Sequence, residues 1–151
     1  MKTRRFQSKD TKDKEAITAI LKEELERHKE PFDEKVWESY LRKRDSILQN
    51  RMGMILAVDD DNDDAIAGFV FTEIRRELSG REYGYFHFPA VKREYKTKVE
   101  ELLCKEAIKY LRSIKMTDIR TRIPQTHALA KSVIMKLYFK QYQLTWQLLG
   151  E

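Results

Sequence analysis

Basic side chains crowd a short segment between a predicted strand and a predicted helix. These side chains are Lys92, Arg93, Lys96 and Lys98. A helix N-terminus attracts anions, because its free N–H groups and the positive end of its dipole converge on one point. The segment therefore predicts a loop that binds phosphate groups, although Glu100 and Glu101 add negative charge to the same turn.

The strand before this loop is predicted from alternation. Tyr83, Tyr85 and His87 stand at every second position of an aromatic segment, which is the period of a half-buried strand. Pro89 follows, and proline has no N–H to donate to a neighbouring strand. We therefore expect the strand to bulge or stop at Pro89.

The helix after the loop is expected to start at about Thr97. Thr97 and Glu100 have the spacing of a capping box, in which each side chain bonds a free backbone N–H of the first turn. The apolar stripe that continues the helix consists of Val99, Leu103, Ala107, Leu111 and Ile114. The segment 83–114 thus reads as strand, cationic loop and helix.

Length and charge limit the classes of protein that need to be considered. The 151 residues are predicted to form one domain, 1–151. The net charge of +5 favours an anionic partner, such as nucleic acid, a phosphorylated cofactor or an acidic substrate. The first ten residues lack the apolar core of a signal peptide, and the apolar run at 65–71 is too short to span a bilayer. We expect a cytoplasmic location.

No metal site is expected from the sequence. Cys104 is the single cysteine and lies within a helical pattern, which indicates a packed core thiol. The aspartate run that begins at Asp59 has calcium-loop spacing, but Asp64 stands where that loop needs glycine and Val70 where it needs glutamate. The run therefore predicts a polar hairpin turn.

The predicted order of elements is βααβββαβαβ. Short turns join the strands at 54–58, 66–74 and 83–88 into an antiparallel meander, and the following helix crosses to a parallel strand at 118–123. A helix with an apolar stripe comes next, and 142–148 is predicted as a last strand. The fold class is α/β, with a mixed central sheet flanked by helices.

Over its whole length the chain resembles the GCN5-related N-acetyltransferase (GNAT) superfamily. The order of elements matches, and the segments that look like family motifs are 54–61 with 66–71, 89–96 and 130–140. The resemblance implies acetyl-coenzyme A as cosubstrate and an amine as acceptor. It also implies that the fourth and fifth strands splay apart, so that the pantetheine arm lies between them.

The same resemblance implies roles for particular residues. The backbone N–H of Val91 would polarise the thioester carbonyl, and His127 stands where the family often has an asparagine near the start of the last helix. The residues implied to hold the pyrophosphate are Lys92, Arg93, Lys96, Thr97, Lys98 and Val99.

Amine acetylation also needs a base for the acceptor's ammonium group. His87 is the best candidate, because it lies in the region where the family often places a glutamate and because histidine has an unperturbed pKa of about 6.5. Glu73 on the neighbouring strand could act through a water instead. A hydrogen-bonded sheet residue without a catalytic role is the alternative for His87.

The chain also departs from the family pattern. The loop at 96–101 contains no glycine, and Ile134 stands where the family often has a tyrosine that protonates the leaving thiolate. These departures leave open a catalytically inactive GNAT-like binding or assembly module. RNA recognition is a less favoured alternative, since 81–88 comes near the RNP1 pattern but has Glu82 in place of its glycine. The acceptor and homodimer formation stay open.

Overall fold

A computed structural model of the protein describes residues 1–6, 9–43, 53–62, 64–123, 127–143 and 147–148. Its strands are β1 (Lys2–Arg5), β2 (Gly53–Val58), β3 (Ile66–Arg76), β4 (Glu82–His87), β5 (Ala90–Val91) and β6 (Ile119–Arg122). Its helices are α1 (Thr11–Arg27), α2 (Glu34–Lys43), α3 (Lys96–Ser113) and α4 (Ala128–Lys136). Within the described residues, no helix is both long and apolar enough to cross a membrane.

The strands form one mixed sheet in the order β1, β2, β3, β4, β6, with β5 paired to β3 beside the end of β4. The pairs β1 with β2, β2 with β3, and β3 with β4 are antiparallel. β6 is parallel to β4, because α3 carries the chain back across the sheet. The predicted α/β class with a mixed central sheet is confirmed.

Helices cover both faces of the sheet. Ile17 and Ile20 of α1 and Trp37 of α2 pack on one face with the apolar side chains of β2 and β3. Leu103 of α3 and Val133 of α4 pack on the opposite face with the remaining strand residues. Successive side chains of β4 point to opposite faces of the sheet, so β4 contacts both helical layers.

Two predicted features near the ends of elements are wrong. A 3₁₀ turn at Arg93–Tyr95 runs directly into α3, so the N-cap is Tyr95 and Thr97 lies inside the first helical turn. The capping box at Thr97 and Glu100 is therefore not the start of the helix. Residues 142–143 and 147–148 are not in a strand, and the rest of the predicted last strand lies outside the described residues.

Candidate functional site

The sheet opens at the point where β4 ends. Phe86 pairs with Thr72 of β3, and Ala90 pairs with Phe69 of the same strand. From one pair to the other, β3 advances three residues and its partner advances four. One extra residue therefore bulges out between β4 and β5, which redirects the chain and increases its twist.

The bulge separates β5 from β6. β4 and β6 remain paired as far as His87 and Arg122, whereas β5 is described as pairing only with β3. The prediction that the strand bulges or stops at Pro89 is confirmed, because a residue without an N–H cannot continue the ladder. The strand pairing therefore leaves an opening between β5 and β6, which we call the cleft.

The backbone of Val91 faces this cleft. The Lys92 N–H donates to the Ala67 carbonyl at 2.9 Å, and hydrogen-bonded pairs alternate with non-bonded pairs along an antiparallel ladder. Val91, paired with Gly68, is therefore a non-bonded position whose N–H and C=O point away from β3. A Cβ on Gly68 would lie 2.7 Å from the Ala90 oxygen, so only glycine lets β5 approach β3 this closely.

Arg27 at the end of α1 reaches the same backbone position. Its Nη2 donates to the Val91 carbonyl oxygen at 3.0 Å and also pairs with Glu24. In the described part of the chain, the buried side-chain polar atoms without a hydrogen-bond partner are Nε and Nη1 of Arg27 and Nε2 of His87. Because buried polar groups in proteins are nearly always satisfied, this concentration at one end of the sheet indicates a place for a ligand.

The loop after β5 presents the predicted cations. Lys92 is half-buried, and Arg93 and Lys98 are exposed. No side-chain hydrogen bond from the N-cap residue Tyr95 is described at the start of α3. The loop can therefore offer backbone N–H groups and side-chain charge to an anion.

The other predicted phosphate contacts are placed differently. The side chain of Val99 is buried in the core, so only its backbone could reach a ligand. The side chains of Lys96 and Thr97 lie outside the described part of the structure. Of the four cations predicted in the loop, the structure therefore describes the side chains of Lys92, Arg93 and Lys98.

His87 lies at the end of β4 in a cage of aromatic rings. The ring centroids of Tyr40, Phe71 and Tyr85 lie 6.2, 5.9 and 5.1 Å from that of His87, each in an edge-on arrangement. The side chain remains 33% exposed. His87 is thus held in place by packing while part of its ring is open to a second molecule.

Glu73 of β3 faces His87. Its Oε1 lies 3.3 Å from Nε2 of His87 and 2.6 Å from Nη2 of Arg75. The pKa of Glu73 is lowered to about 2, chiefly by its contact with His87, while burial acts in the opposite direction and Arg75 lowers it further. Glu73 is therefore ionised at neutral pH and suits an orienting role better than a proton-accepting one.

His127 forms the start of α4. Its Nδ1 accepts a hydrogen bond from the Ala130 N–H at 3.0 Å, which caps the helix. Its ring lies 4.8 Å from that of His28 and 5.7 Å from that of Phe88 in the bulge. The prediction that His127 contacts a cofactor is not tested by these contacts, but they place the residue beside the bulge.

Sequence reasoning missed the part that α1 plays at this site. Glu24, Arg27 and His28 lie on its last turns, and Arg27 meets Val91 only because the helix packs across β5. The sequence signal was a cluster of ionisable residues at the end of an amphipathic helix. Such clusters usually face water, so the pattern alone could not reveal the contact.

α4 and α3 supply packing at the back of the cleft. Ile134 is buried in the core, as is Cys104. Burial raises the pKa of the Cys104 thiol to about 12, with smaller contributions from Glu100 and Glu101. The prediction of a packed core thiol is confirmed by this burial.

The aromatic rings of β4 are not arranged for stacking on bases. The guanidinium carbon of Arg75 lies 3.6 Å from the ring centroid of Tyr85, and that of Arg120 lies 4.0 Å from the ring centroid of Tyr83. Tyr85 is also buried. RNA-recognition motifs use open ring faces on their strands for base stacking, and here an arginine lies over one face of each of these two rings.

No protein-family model matches the sequence, and no curated protein matches it either. Solved structures do match over nearly the full length. A probable acetyltransferase superimposes with a TM-score of 0.76 at 18% identity, covering 100% of both chains. The chain has the GNAT acetyltransferase fold.

Two further GNAT-fold structures match with similar quality. Glucosamine-6-phosphate N-acetyltransferase from Arabidopsis thaliana has a TM-score of 0.71 at 9% identity, covering 99% of this chain and 98% of its own. An aminoglycoside acetyltransferase from an uncultured soil metagenomic sample, in complex with sisomicin, has a TM-score of 0.73 at 10% identity, with 99% and 96% coverage. The resemblance in fold is confirmed by these structures, and identities this low carry no information on the substrate.

Proposed function

We propose that the protein is an N-acetyltransferase that moves the acetyl group of acetyl-coenzyme A to an amine. The observation that carries the proposal is the cleft beside β5. The N–H and C=O of Val91 point away from β3 toward it, and Nε and Nη1 of Arg27, which are buried without a hydrogen-bond partner, lie at the same end of the sheet. An extended chain bearing amides and a thioester would complete the hydrogen bonds that this edge leaves open.

The pantetheine arm would bind alongside β5 as a further strand does. One of its amide N–H groups would bond the outward C=O of Val91, and Arg27 would give up the bond that it now donates to that carbonyl. The Val91 N–H would be left for the thioester carbonyl oxygen. The pyrophosphate would lie on the loop that ends at α3, where Lys92, Arg93 and Lys98 provide charge. Without a glycine in the loop, side-chain charge replaces close contact with the backbone, so the affinity depends strongly on salt.

The transfer itself needs a neutral amine and a polarised carbonyl. His87 removes a proton from the acceptor's ammonium, the amine nitrogen then forms a bond to the thioester carbonyl carbon, and the bond from that carbon to sulfur breaks. Glu73 keeps the imidazole of His87 oriented through the contact between its Oε1 and Nε2 of His87. The Val91 N–H stabilises the negative charge that develops on the carbonyl oxygen.

The leaving thiolate cannot take its proton from a tyrosine on the last helix, as the GNAT resemblance would imply. Ile134 occupies the corresponding position and is buried among apolar side chains. We therefore assign the proton to water or to the acceptor's own ammonium group, and α4 contributes packing.

The decisive experiment is a calorimetric titration with acetyl-coenzyme A beside a titration with single-stranded RNA. We expect saturable binding of acetyl-coenzyme A, weakened at least about tenfold in Lys92→Ala/Lys98→Ala and weakened again by salt. Lys12→Ala/Lys109→Ala removes the same charge from exposed positions in α1 and on the far part of α3, and it should bind as the wild type does. Binding of RNA alone would overturn the proposal.

A second candidate follows from the missing tyrosine and the loop without glycine. A GNAT-like module that binds acetyl-coenzyme A without turnover would keep the Val91 interactions and need no acid on α4. An acetylation assay across small amines, peptide N-termini and lysine peptides separates the two functions. Saturable binding with no product from any acceptor class would favour the inactive module.

A further inference from the structure

A group of metal-ligating side chains connects the end of α1 with the start of α4. Glu24 lies in the last turn of α1, His28 is the residue that caps the C-terminus of α1, and His127 is the N-cap of α4. One potential ligand atom from each of these three residues lies within 4.8 Å of the others. Two imidazoles and a carboxylate are therefore close neighbours, although His127 is distant in sequence from the other two.

Their chemistry and spacing favour a transition metal over a calcium or magnesium ion. Imidazole nitrogen suits zinc, cobalt and nickel, whereas calcium and magnesium take oxygen ligands. Oε1 of Glu24 lies 3.1 Å from Nε2 of His28. Ligand atoms on a tetrahedral zinc ion, bound at about 2.0 Å, are about 3.3 Å apart. The Glu24 oxygen and the His28 nitrogen are therefore already separated by about the distance expected between two ligands of one zinc ion.

The surroundings of the pair also fit a metal centre. The other carboxylate oxygen of Glu24 is held by Arg27, which fixes the orientation of the carboxylate as an outer-shell partner does in known metal sites. Glu24 is only 15% exposed, and His28 is 36% exposed. An ion could therefore enter from the side of His28 while Glu24 stays anchored.

His127 must change its hydrogen bonding to take part. Its Nδ1 accepts from the Ala130 N–H, so a neutral ring carries its proton on Nε2 and cannot bind a metal there. Coordination through Nε2 moves the proton to Nδ1 and ends the cap. The bond to a transition metal outweighs one helix cap, so this exchange opposes binding without preventing it.

We propose that Glu24, His28 and His127 form a binding site for a divalent transition metal ion of the zinc class. The ion would link α1 to α4 beside the cleft, and water would complete its coordination. The proposal concerns metal binding alone and does not depend on acetyl transfer, so either one can fail without the other.

The test uses the full chain without a polyhistidine tag, after treatment with a chelator. Zn²⁺ is titrated by calorimetry, and Co²⁺ is titrated by visible absorption, where imidazole ligation in tetrahedral geometry gives intense bands. The chain contains three histidines, and imidazole NMR signals can therefore be assigned one by one. We expect one ion per chain, with shifts at His28 and His127, loss of the hydrogen-bonded Ala130 amide signal, and no shift at His87.

Variants make the assignment specific. His28→Ala removes one exposed ligand, and His127→Asn removes the imidazole while keeping a good helix cap. Each should weaken Zn²⁺ binding by at least about tenfold, whereas His87→Ala should leave it unchanged. Circular dichroism confirms that each variant is folded. Absence of saturable binding in the wild type, or an equal loss in all three variants, would overturn the proposal.

Discussion

The two walls of the cleft differ in what they offer to chemistry. The wall formed by β5 and α1 presents a backbone N–H and C=O at Val91 and the partly unsatisfied guanidinium of Arg27. The wall formed by α4 presents the buried Ile134 and a histidine that caps its own helix. The first wall is arranged to hold and polarise a ligand, while the second mainly packs. If the protein is a catalyst, the sheet side performs the chemistry.

The largest effect is expected from Val91→Pro. Proline removes the N–H that faces the cleft but leaves the ladder bond from Lys92 to Ala67 intact. We expect kcat to fall by about 10² to 10³, as when one oxyanion donor is removed. Steady-state kinetics with the best acceptor measures the effect, and thermal unfolding measures the stability.

Lys92→Pro is the matched control for that variant. It removes the ladder donor instead of the cleft donor, so it should lower the melting temperature more than Val91→Pro does. If Val91→Pro keeps wild-type turnover while remaining folded, the β5 wall has no polarising role.

The next largest effect is expected from His87→Ala. Loss of a general base typically lowers the rate by about 10² or more. The loss should be greatest on the low to neutral side of the pH profile, where the unprotonated acceptor amine is scarcest. Turnover that is unchanged at every pH would remove His87 from the mechanism.

The variant His87→Ala should also change how the free energy of unfolding depends on pH. The pKa of Glu73 is about 2 in the folded protein against 4.5 as its ordinary value, so its ionised form stabilises the fold above about pH 4.5, and this contribution is lost as the pH falls through about 2. Without His87 the pKa of Glu73 rises and the loss begins at higher pH. Urea unfolding between pH 2 and pH 7 should show a deficit on the order of 1 kcal/mol above about pH 4.5 that vanishes in strong acid.

The sequence predicted the sheet better than the site, and the reason is physical. Period-two alternation and Pro89 are local signals, and they predicted the β4 strand and its bulge. The contact of Arg27 with Val91 and the meeting of His28 with His127 depend on how helices pack across the sheet. No local pattern records such packing, so these residues were missed or given other roles.

The smallest effect is expected on the α4 wall. Ile134→Tyr introduces a larger side chain into a packed position, and we expect a loss of about 1–3 kcal/mol in unfolding free energy. Turnover should stay within about threefold of the wild type, because protonation of the thiolate in the wild type does not depend on α4. Denaturant unfolding and kinetics on the same samples check both expectations. A large gain in kcat would show that an acid on α4 is what the chain lacks.

An NMR titration of the ¹⁵N-labelled protein with acetyl-coenzyme A tests directly whether the ligand binds in the cleft beside β5. The amide of Val91 faces the cleft and that of Lys98 lies in the first turn of α3, whereas Gly80 lies in the turn between β3 and β4. We predict saturable shifts at Val91 and Lys98 and none at Gly80. Saturable shifts that spare Val91, or no shift at any amide at millimolar ligand, would contradict the assignment of this cleft to acetyl-coenzyme A.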